Sequence, residues 1–455
     1  MADVSVESQP LIPARRIHYS KLRSYLIQFV SINALCLGYI LYGWVISFTS
    51  PTESELMSIG LFNTLSFSLF SSLSLFGFSS FITSLFAKQW SCKFILMITT
   101  LCGGLGWILI IISNDIYSMI LGRVLTGVHI GACMGLSMSY MVEVCNEKQQ
   151  RFYGALILLP SAVALVFLYL LANYFSYRWL GVFGLIGIVL QAVLLMFSPQ
   201  SPTWLLYMGF NLSAKETMIW IHGEDFDVEG EVKRIEQQIS KSNEQNSYLS
   251  LSGFCRWKTI RPILIACSLQ GFKGFSGQPV YYSYAASLFS RTSFNPDISA
   301  LPYPILLSVG TLISVLLASH VSRKKILLVT TFMQAIANFT FFLYFMLSTH
   351  ITVCTGSGSI PCVLLSIWPI LSLCLYSLFY TIGWGTIAWT VYADIFDPNY
   401  KEVSAGIVTL FYALVMTCIV FIFPNFIASF GEWPFFLLLT LECVAGLCFE
   451  YFIFK

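Results

Sequence analysis

Charge is scarce in this chain. Asp, Glu, Lys and Arg make up only 10% of its 455 residues, against about a quarter in an ordinary soluble domain. With 57% of residues hydrophobic, too little polar surface remains to solvate a globule of this length, which excludes a soluble enzyme. A net charge of +2 lacks the basic footprint of a nucleic-acid partner. Catalytic patterns are missing too: the five histidines are scattered, and neither HExxH nor a nucleophile elbow occurs. No catalytic residue, cofactor or metal ligand is therefore expected. The 13 cysteines lie mostly inside apolar runs without zinc spacing, as small packing residues of membrane helices do. Cys354 and Cys362 share one expected outside loop, where a disulfide stays open. The N-terminus up to Ser20 is short and polar and lacks the cleavage pattern of a secretory signal.

What the chain has instead is long uncharged runs. Ser24–Thr52, Met57–Ala87 and Phe94–Asn114 hold no charged residue, and Ile326–Ala393 stays uncharged for the length of two membrane helices. Apolar runs beyond about 18 residues are membrane spans. Charge returns between Thr203 and Arg261, with alternating sign through Lys215, Glu216, Glu224, Asp225, Asp227, Glu229, Glu231, Lys233 and Arg234. Glu229 stands four residues before Lys233, the spacing of a helix-supporting pair. This stretch reads as short surface helices in water.

Spans are expected near 24–48, 58–86, 94–113, 117–142, 154–175 and 179–199, then near 262–289, 299–321, 325–347, 362–394, 404–427 and 434–453. The expected fold is an all-α membrane protein of twelve transmembrane helices in two six-helix bundles, joined by a cytosolic helical bridge. Its parts are a tail 1–23, a first bundle 24–202, a linker 203–261 and a second bundle 262–455. Of the 24 Lys and Arg residues, all but Arg123, Arg178, Lys273 and Arg291 then fall on one side. Positive residues mark the cytosolic face, so both termini and the bridge are expected there. The halves echo each other: Lys88–Lys93 and His320–Lys325 are short basic loops at matching places, and Glu143 and Asp394 end matching spans. Transporters built from repeats bind substrate near the midplane between the halves. An ion channel would need rings of carbonyls or charges, and none is visible.

Specific residues carry a resemblance. The first span has Gly38-Tyr39 and Gly43-Trp44, with Ser50-Pro51 beyond; the fourth has Gly122-Arg123, Gly127, Gly131, Tyr140 and Glu143; the fifth opens Gly154-Ala155-Leu156. The sixth ends Pro199-Gln200-Ser201-Pro202-Thr203-Trp204-Leu205, close to PESPRWL. Later come Ser276-Gly277, Tyr281-Tyr282, Gly385-Thr386-Ile387-Ala388-Trp389, Asp394 and Lys401. In this order the chain resembles the sugar porters of the major facilitator superfamily, and among them most the insect facilitated trehalose and hexose transporters. The resemblance implies a facilitative sugar carrier working by alternating access. There are departures. Lys273 and Gly274 stand where the family has two glutamines, Pro279 replaces an asparagine, and Met138 replaces a proline.

Candidate substrate contacts are Trp389, Tyr281 and Tyr282, whose rings suit apolar sugar faces, and Ser161, Gln270, Ser276 and Gln278, which offer hydrogen bonds. Lys273 joins them as a basic residue deep in an expected span. Candidate gating charges on the cytosolic side are Glu143, Arg151, Arg323, Lys324, Lys325, Asp394 and Lys401, the alternative being topology charges that face headgroups. Arg123 is expected near the outer mouth, either pairing across helices or snorkelling to the surface. Gly127 and Gly131 lie on one face and admit a neighbouring backbone. Glu442, well inside a span, leaves proton coupling open. Glu7, Leu11 and Ile12 look like an acidic dileucine sorting address. The partners expected are a small sugar, the lipid bilayer and, at the tail, a sorting adaptor, with no nucleic acid and a monomeric state. The expected location is the plasma membrane, the alternative an endosomal or lysosomal one. A nutrient sensor or receptor without flux is the competing function.

Overall fold

The computed structural model describes residues 21–453 apart from 76–77, 87–88, 146–148, 150–152, 155, 225, 247–256, 290–298, 319, 351–359, 389–394 and 397–400. Every regular element among the described residues is helical. The first set is α1 (Lys21–Ser47), α2 (Thr49–Ser58), α3 (Thr64–Leu73), α4 (Phe78–Phe86), α5 (Cys92–Ile112), α6 (Ile116–Val144), α7 (Leu159–Ala172) and α8 (Tyr177–Phe197). The polar middle forms α9 (Pro202–Tyr207), α10 (Asn211–His222) and α11 (Val228–Asn246). Then follow α12 (Trp257–Phe275), α13 (Gln278–Leu288), α14 (Pro302–Ala318), α15 (Arg323–His350), α16 (Ile360–Tyr380), a π-helical turn (Thr381–Gly385), α17 (Lys401–Phe430) and α18 (Glu432–Ile453).

Among the described residues, eight helices are long and apolar enough to cross a bilayer: α1, α5, α6, α8, α15, α16 with its π turn, α17 and α18. The chain is a multi-pass membrane protein. Its outer surface inverts the rule for soluble domains, since α8 exposes Ile186, Val189, Leu190, Val193, Met196 and Phe197. Helix is dictated here because hydrocarbon offers no partner to a main-chain N–H or C=O. Polar residues sit at the helix starts, where the first N–H groups need acceptors. Asp115 caps α6 by accepting from Ser118 N at 2.8 Å, and bonds from Ser118 hold its carboxyl below the usual range.

Among the described residues the expected intervals are largely helical, but 362–394 carries the π-helical turn and three others behave differently from single rods. The run 58–86 forms α3 and α4, broken after Leu73. The run 262–289 forms α12 and α13, which meet at Gly277 with φ of +106°, a conformation glycine takes without a Cβ clash. Pro279 then opens α13, where its missing N–H costs nothing. The first span does not stop at Ser47 but turns into α2, which buries Thr49, Ser50, Pro51 and Thr52.

Packing repeats along the chain. α5 lies on α6 and α8, and α15 lies on α16 and α18 in the same relation. The early and late parts join where α3 and α4 meet α17, α7 meets α14, and α2 meets α13. Small residues permit the tightest approaches, as membrane helices require. A Cβ on Gly127 would stand 2.9 Å from the Ser74 carbonyl oxygen, and one on Gly43 would collide with the Ser161 carbonyl.

The polar middle has a small core of its own, from Leu205, Leu206, Ala214, Met218, Val232 and Ile235. Glu229 pairs with Lys215 at 2.6 Å rather than with Lys233, because α10 lies against α11 and brings Lys215 closer. This exposed pair contributes at most about 1 kcal/mol. Attachment to the membrane part is by hydrogen bond: Gln28 Nε2 donates to Ile221 O at 2.9 Å, and Gln149 Nε2 to Gln28 Oε1 at 2.9 Å.

The Gly43 approach yields a direct test. Gly43→Val places a branched side chain against main chain that cannot rotate away, so the protein should lose about 1–3 kcal/mol and melt lower in detergent. An unchanged melting temperature would show that α1 and α7 are not in this contact.

Candidate functional site

The break between α12 and α13 exposes main-chain carbonyls, two of which accept from the side chains of Ser276 and Asn338, and a set of side-chain hydrogen bonds surrounds them. Ser276 Oγ donates to Lys273 O at 2.8 Å and shares a 2.8 Å hydrogen bond with Tyr376 OH of α16. Asn338 Nδ2 of α15 donates to Ser276 O at 3.2 Å, and Tyr281 OH donates to Asn338 Oδ1 at 2.9 Å. Gln278 Nε2 donates to Tyr303 OH of α14 at 2.8 Å. The rings close over these bonds. Tyr281 and Tyr376 have centroids 4.5 Å apart, and Tyr281 stacks on Phe341 at 5.8 Å. The result is a buried cluster in which phenols and amides alternate, with hydroxyl donors and acceptors fixed in place by apolar walls.

Lys273 adjoins this cluster. It is only 2% exposed, and its Nζ stands 4.9 Å from the ring centre of Tyr412 on α17, a cation–π distance. Tyr412 in turn lines a cavity of about 40 Å³, shared with Tyr42, Ser74, Ser80, Met134 and Thr409. Space of this size admits about one water. Any larger solute needs the helices to move.

Above the cavity a single hydroxyl joins early and late helices. Ser50 Oγ of α2 accepts from Tyr169 OH of α7 at 2.8 Å and from Ala286 N of α13 at 3.0 Å. Beside this contact lies a second cavity of about 220 Å³, lined by Glu53, Tyr284, Ser287, Phe345, Phe423 and Glu432. At the other end of the helices, Tyr140 OH donates to Pro199 O at 2.6 Å and Lys93 Nζ to Ser198 O at 2.6 Å. Lys93 thereby serves the last carbonyls of α8, a place that favours a cation.

Residues 33–455 match the family described as Sugar (and other) transporter. The chain belongs to this family, within the major facilitator superfamily. It is similar to the human solute carrier family 2, facilitated glucose transporter member 6, at 26% identity over 481 residues, covering 98% of this chain and 92% of that protein. Sugar transporter ERD6-like 2 of Arabidopsis thaliana is 23% identical over 386 residues, with 84% and 81% covered. Facilitated trehalose transporter Tret1 of Apis mellifera ligustica is 23% identical over 311 residues, with 67% and 60% covered. Among solved structures, the partially occluded inward-open xylose transporter XylE from E. coli superimposes with a TM-score of 0.77 at 15% identity, over 94% of this chain and 100% of that one. That likeness shows the fold alone.

In this sugar porter the residues singled out from sequence divide by place. Gln270 and Lys273 lie on α12, Ser276 at the break, and Gln278, Tyr281 and Tyr282 on α13. Gln270 is fully buried, and both of its amide atoms are without a hydrogen-bond partner among the described residues. Ser161 is on α7, where its hydroxyl donates to Leu158 O at 2.6 Å. Trp389, Arg151 and Asp394 lie outside the described residues, as do Glu7, Leu11, Ile12 and Cys354. Lys401 opens α17, its side chain also outside them. Glu143 is half-buried near the end of α6, and Arg323 and Lys325 are exposed in the first turn of α15. Lys324 Nζ sits 5.3 Å from the Tyr451 ring centre. Three cations in a first turn oppose the helix dipole, so α15 itself gains nothing from them.

Arg123 takes the first of its two expected arrangements. It does not snorkel: it is fully buried, with Nη2 donating to Ser74 Oγ at 2.7 Å and Nε to Phe70 O at 3.3 Å. It pairs across helices, serving the carbonyl end of α3 where the ladder breaks. Asn338, Tyr303, Tyr376 and the pair Ser50 and Tyr169 were not singled out as site residues. Asn338 carried the one usable signal, an amide deep in an uncharged run, where polar side chains bind helix to helix.

Ser50 is the residue whose loss the contact of α2 with α7 and α13 should feel most. Ser50→Ala leaves the Tyr169 hydroxyl and the Ala286 N–H without their acceptor, at a cost of about 1–3 kcal/mol. Labelling of Ser283→Cys by a water-soluble maleimide should then accelerate about tenfold. An unchanged rate would show the contact to be incidental.

Proposed function

We propose that this porter carries a hydroxyl-rich solute of sugar size across a membrane by alternating access. The observation that carries the reading is the phenol and amide cluster at the α12–α13 break, adjoined by Lys273, which packs on Tyr412 in the wall of a cavity that both early and late helices line. Such a cluster supplies donors, acceptors and flat apolar faces together, which is what a polyol asks of a site. In this reading α3 with α4, α7, α12 with α13, and α14 complete twelve spans in two six-helix bundles. The bundles are 24–202 and 262–455, with a cytosolic tail 1–23, a cytosolic linker 203–261 and cytosolic termini.

Solute enters between the bundles and meets Gln270, Lys273, Ser276, Gln278, Tyr281, Tyr282 and Trp389, with Ser161 opposite. The Ser50 contact closes the outside. Ion pairs among Glu143, Arg151, Arg323, Lys324, Lys325, Asp394 and Lys401 close the cytosolic side in the other state. The finer assignment is to facilitated trehalose or hexose transport, supported by the curated insect relatives of that name. The protein acts as a monomer in the plasma membrane or, through Glu7, Leu11 and Ile12 and an adaptor, in endosomal or lysosomal membranes. Proton coupling has one observation in its favour, the Glu442 carboxylate, whose oxygens are buried without a hydrogen-bond partner among the described residues.

Uptake of labelled trehalose, glucose and fructose into proteoliposomes tests the reading. Saturable entry that stops at the outside concentration is expected. Accumulation above it, driven by a proton gradient, would replace the facilitative mechanism with coupling through Glu442. Binding without entry would contradict transport and favour a sensor.

A further inference from the structure

The turn between α9 and α10 carries its apolar side chains outward. Tyr207, Met208, Phe210 and Leu212 are all exposed, Phe210 by 57% and Leu212 by 71%, while Leu205, Leu206 and Ala214 take the inward places in the core of the polar middle. A single exposed apolar residue is ordinary, but several on one turn mark a surface that something covers. The turn is too firmly made to tuck them away. Gly209 N donates to Leu206 O at 3.0 Å and Phe210 N to Leu205 O at 2.8 Å, with Gly209 at φ of +83°, the left-handed close that ends a helix. Phe210 then stands at the N-cap of α10 and offers it no side-chain acceptor, where serine, aspartate or asparagine suits a helix start in water.

The position of the turn says what covers it. α9 begins at Pro202, just beyond the end of α8, where Val193, Met196 and Phe197 face lipid. Lys93 donates there to Met196 O at 3.2 Å and Ser198 O at 2.6 Å, a cation at the end of a span. Trp204 Nε1 pins α9 to the neighbouring loop by donating to Gln89 O at 3.2 Å. The next residue, Trp90, has its ring 5.8 Å from Phe86 and 5.8 Å from Phe94. All three rings are exposed at the end of α4 and the start of α5, the place of an aromatic belt at a membrane surface. Met208 follows Trp204 by four residues, about 6 Å along a helix. The exposed turn thus continues the apolar surface of α8 and adjoins the aromatic group. No basic residue occurs in 202–212, and Lys215 beyond it is paired with Glu229, so apolar burial rather than charge attraction supplies the contact.

From this continuity we infer that Tyr207, Met208, Phe210 and Leu212 insert into the adjoining headgroup and acyl boundary of the bilayer, so that the polar middle rides on the membrane. The inference rests on the lipid-facing surface of α8 and not on the carrier reading. A fluorescent amino acid in place of Leu212, or of the exposed Lys233 on α11, is read in phosphatidylcholine nanodiscs with plain or brominated acyl chains, and against iodide in the water. The Leu212 probe should lose emission to the brominated lipid and be shielded from iodide, while the Lys233 probe should do the reverse. Phe210→Ser gives α10 a better cap, so the protein should melt no lower. Quenching of the Leu212 probe by brominated lipid should nevertheless drop by about half, since a main apolar anchor is gone. Iodide quenching of the Leu212 probe with none from brominated lipid would overturn the inference and leave the turn in water. Shielding from both quenchers would overturn it too, because another protein surface would then cover the turn. So would lipid quenching that appears only with added phosphatidylserine, which would make the contact one of charge.

Discussion

A main-chain group left unpaired in hydrocarbon costs several kcal/mol, and every irregular point of this structure is organised around that cost. The helical ladder breaks after α3, between α12 and α13, and at the π turn after α16. At each break, side chains from neighbouring helices take up what the ladder releases. Arg123 and Ser74 serve the end of α3. Asn338 takes the Ser276 carbonyl. At the π turn Ser314 and Thr386 donate to Ile382 O, and Trp384 Nε1 bonds Thr331, which in turn donates to Glu450. The breaks are therefore fixed points, and polar groups gather there because the backbone needs them.

That gathering is also what makes a binding site possible inside a membrane protein. Irregular backbone at membrane depth is tolerated where protein or a water-filled space covers it. The α12–α13 break gathers Gln270, Lys273, Ser276, Gln278 and Tyr281 on one short segment, with Lys273 against Tyr412 of the cavity wall, while α2 and α13 meet through the Ser50 contact. One short stretch of chain thus belongs to both the site and the outer closure. A solute that shifts α13 acts on the Ala286–Ser50 bond directly, which is the differential contact alternating access requires.

The spans were legible because charge is so costly in lipid that its absence marks them, and the polar middle was legible for the opposite reason. The breaks were not, since hydropathy counts apolar residues and is blind to a ladder interrupted within an apolar run. The run 58–86 therefore read as one span, and α2 was unseen beyond Ser47. For Arg123 the sequence left pairing across helices and snorkelling both open, because its partner, the end of α3, was hidden with the break. Gln270, Lys273, Ser276, Gln278, Tyr281 and Tyr282 were singled out mainly through the resemblance, with helical spacing joining Gln270, Lys273 and Ser276, and they do share one short segment. Their partners Asn338, Tyr303 and Tyr376 come from three other helices, and a sequence read in order does not bring them together.

The central claim is that the outer contact opens and closes with solute. Spin labels on Tyr174→Cys at the end of α7 and Leu301→Cys before α14 report the distance across it. The account predicts two distance populations whose ratio changes when a transported solute is added, the longer one growing with Ser50→Ala. A single distance, indifferent to solute and to Ser50, would contradict it.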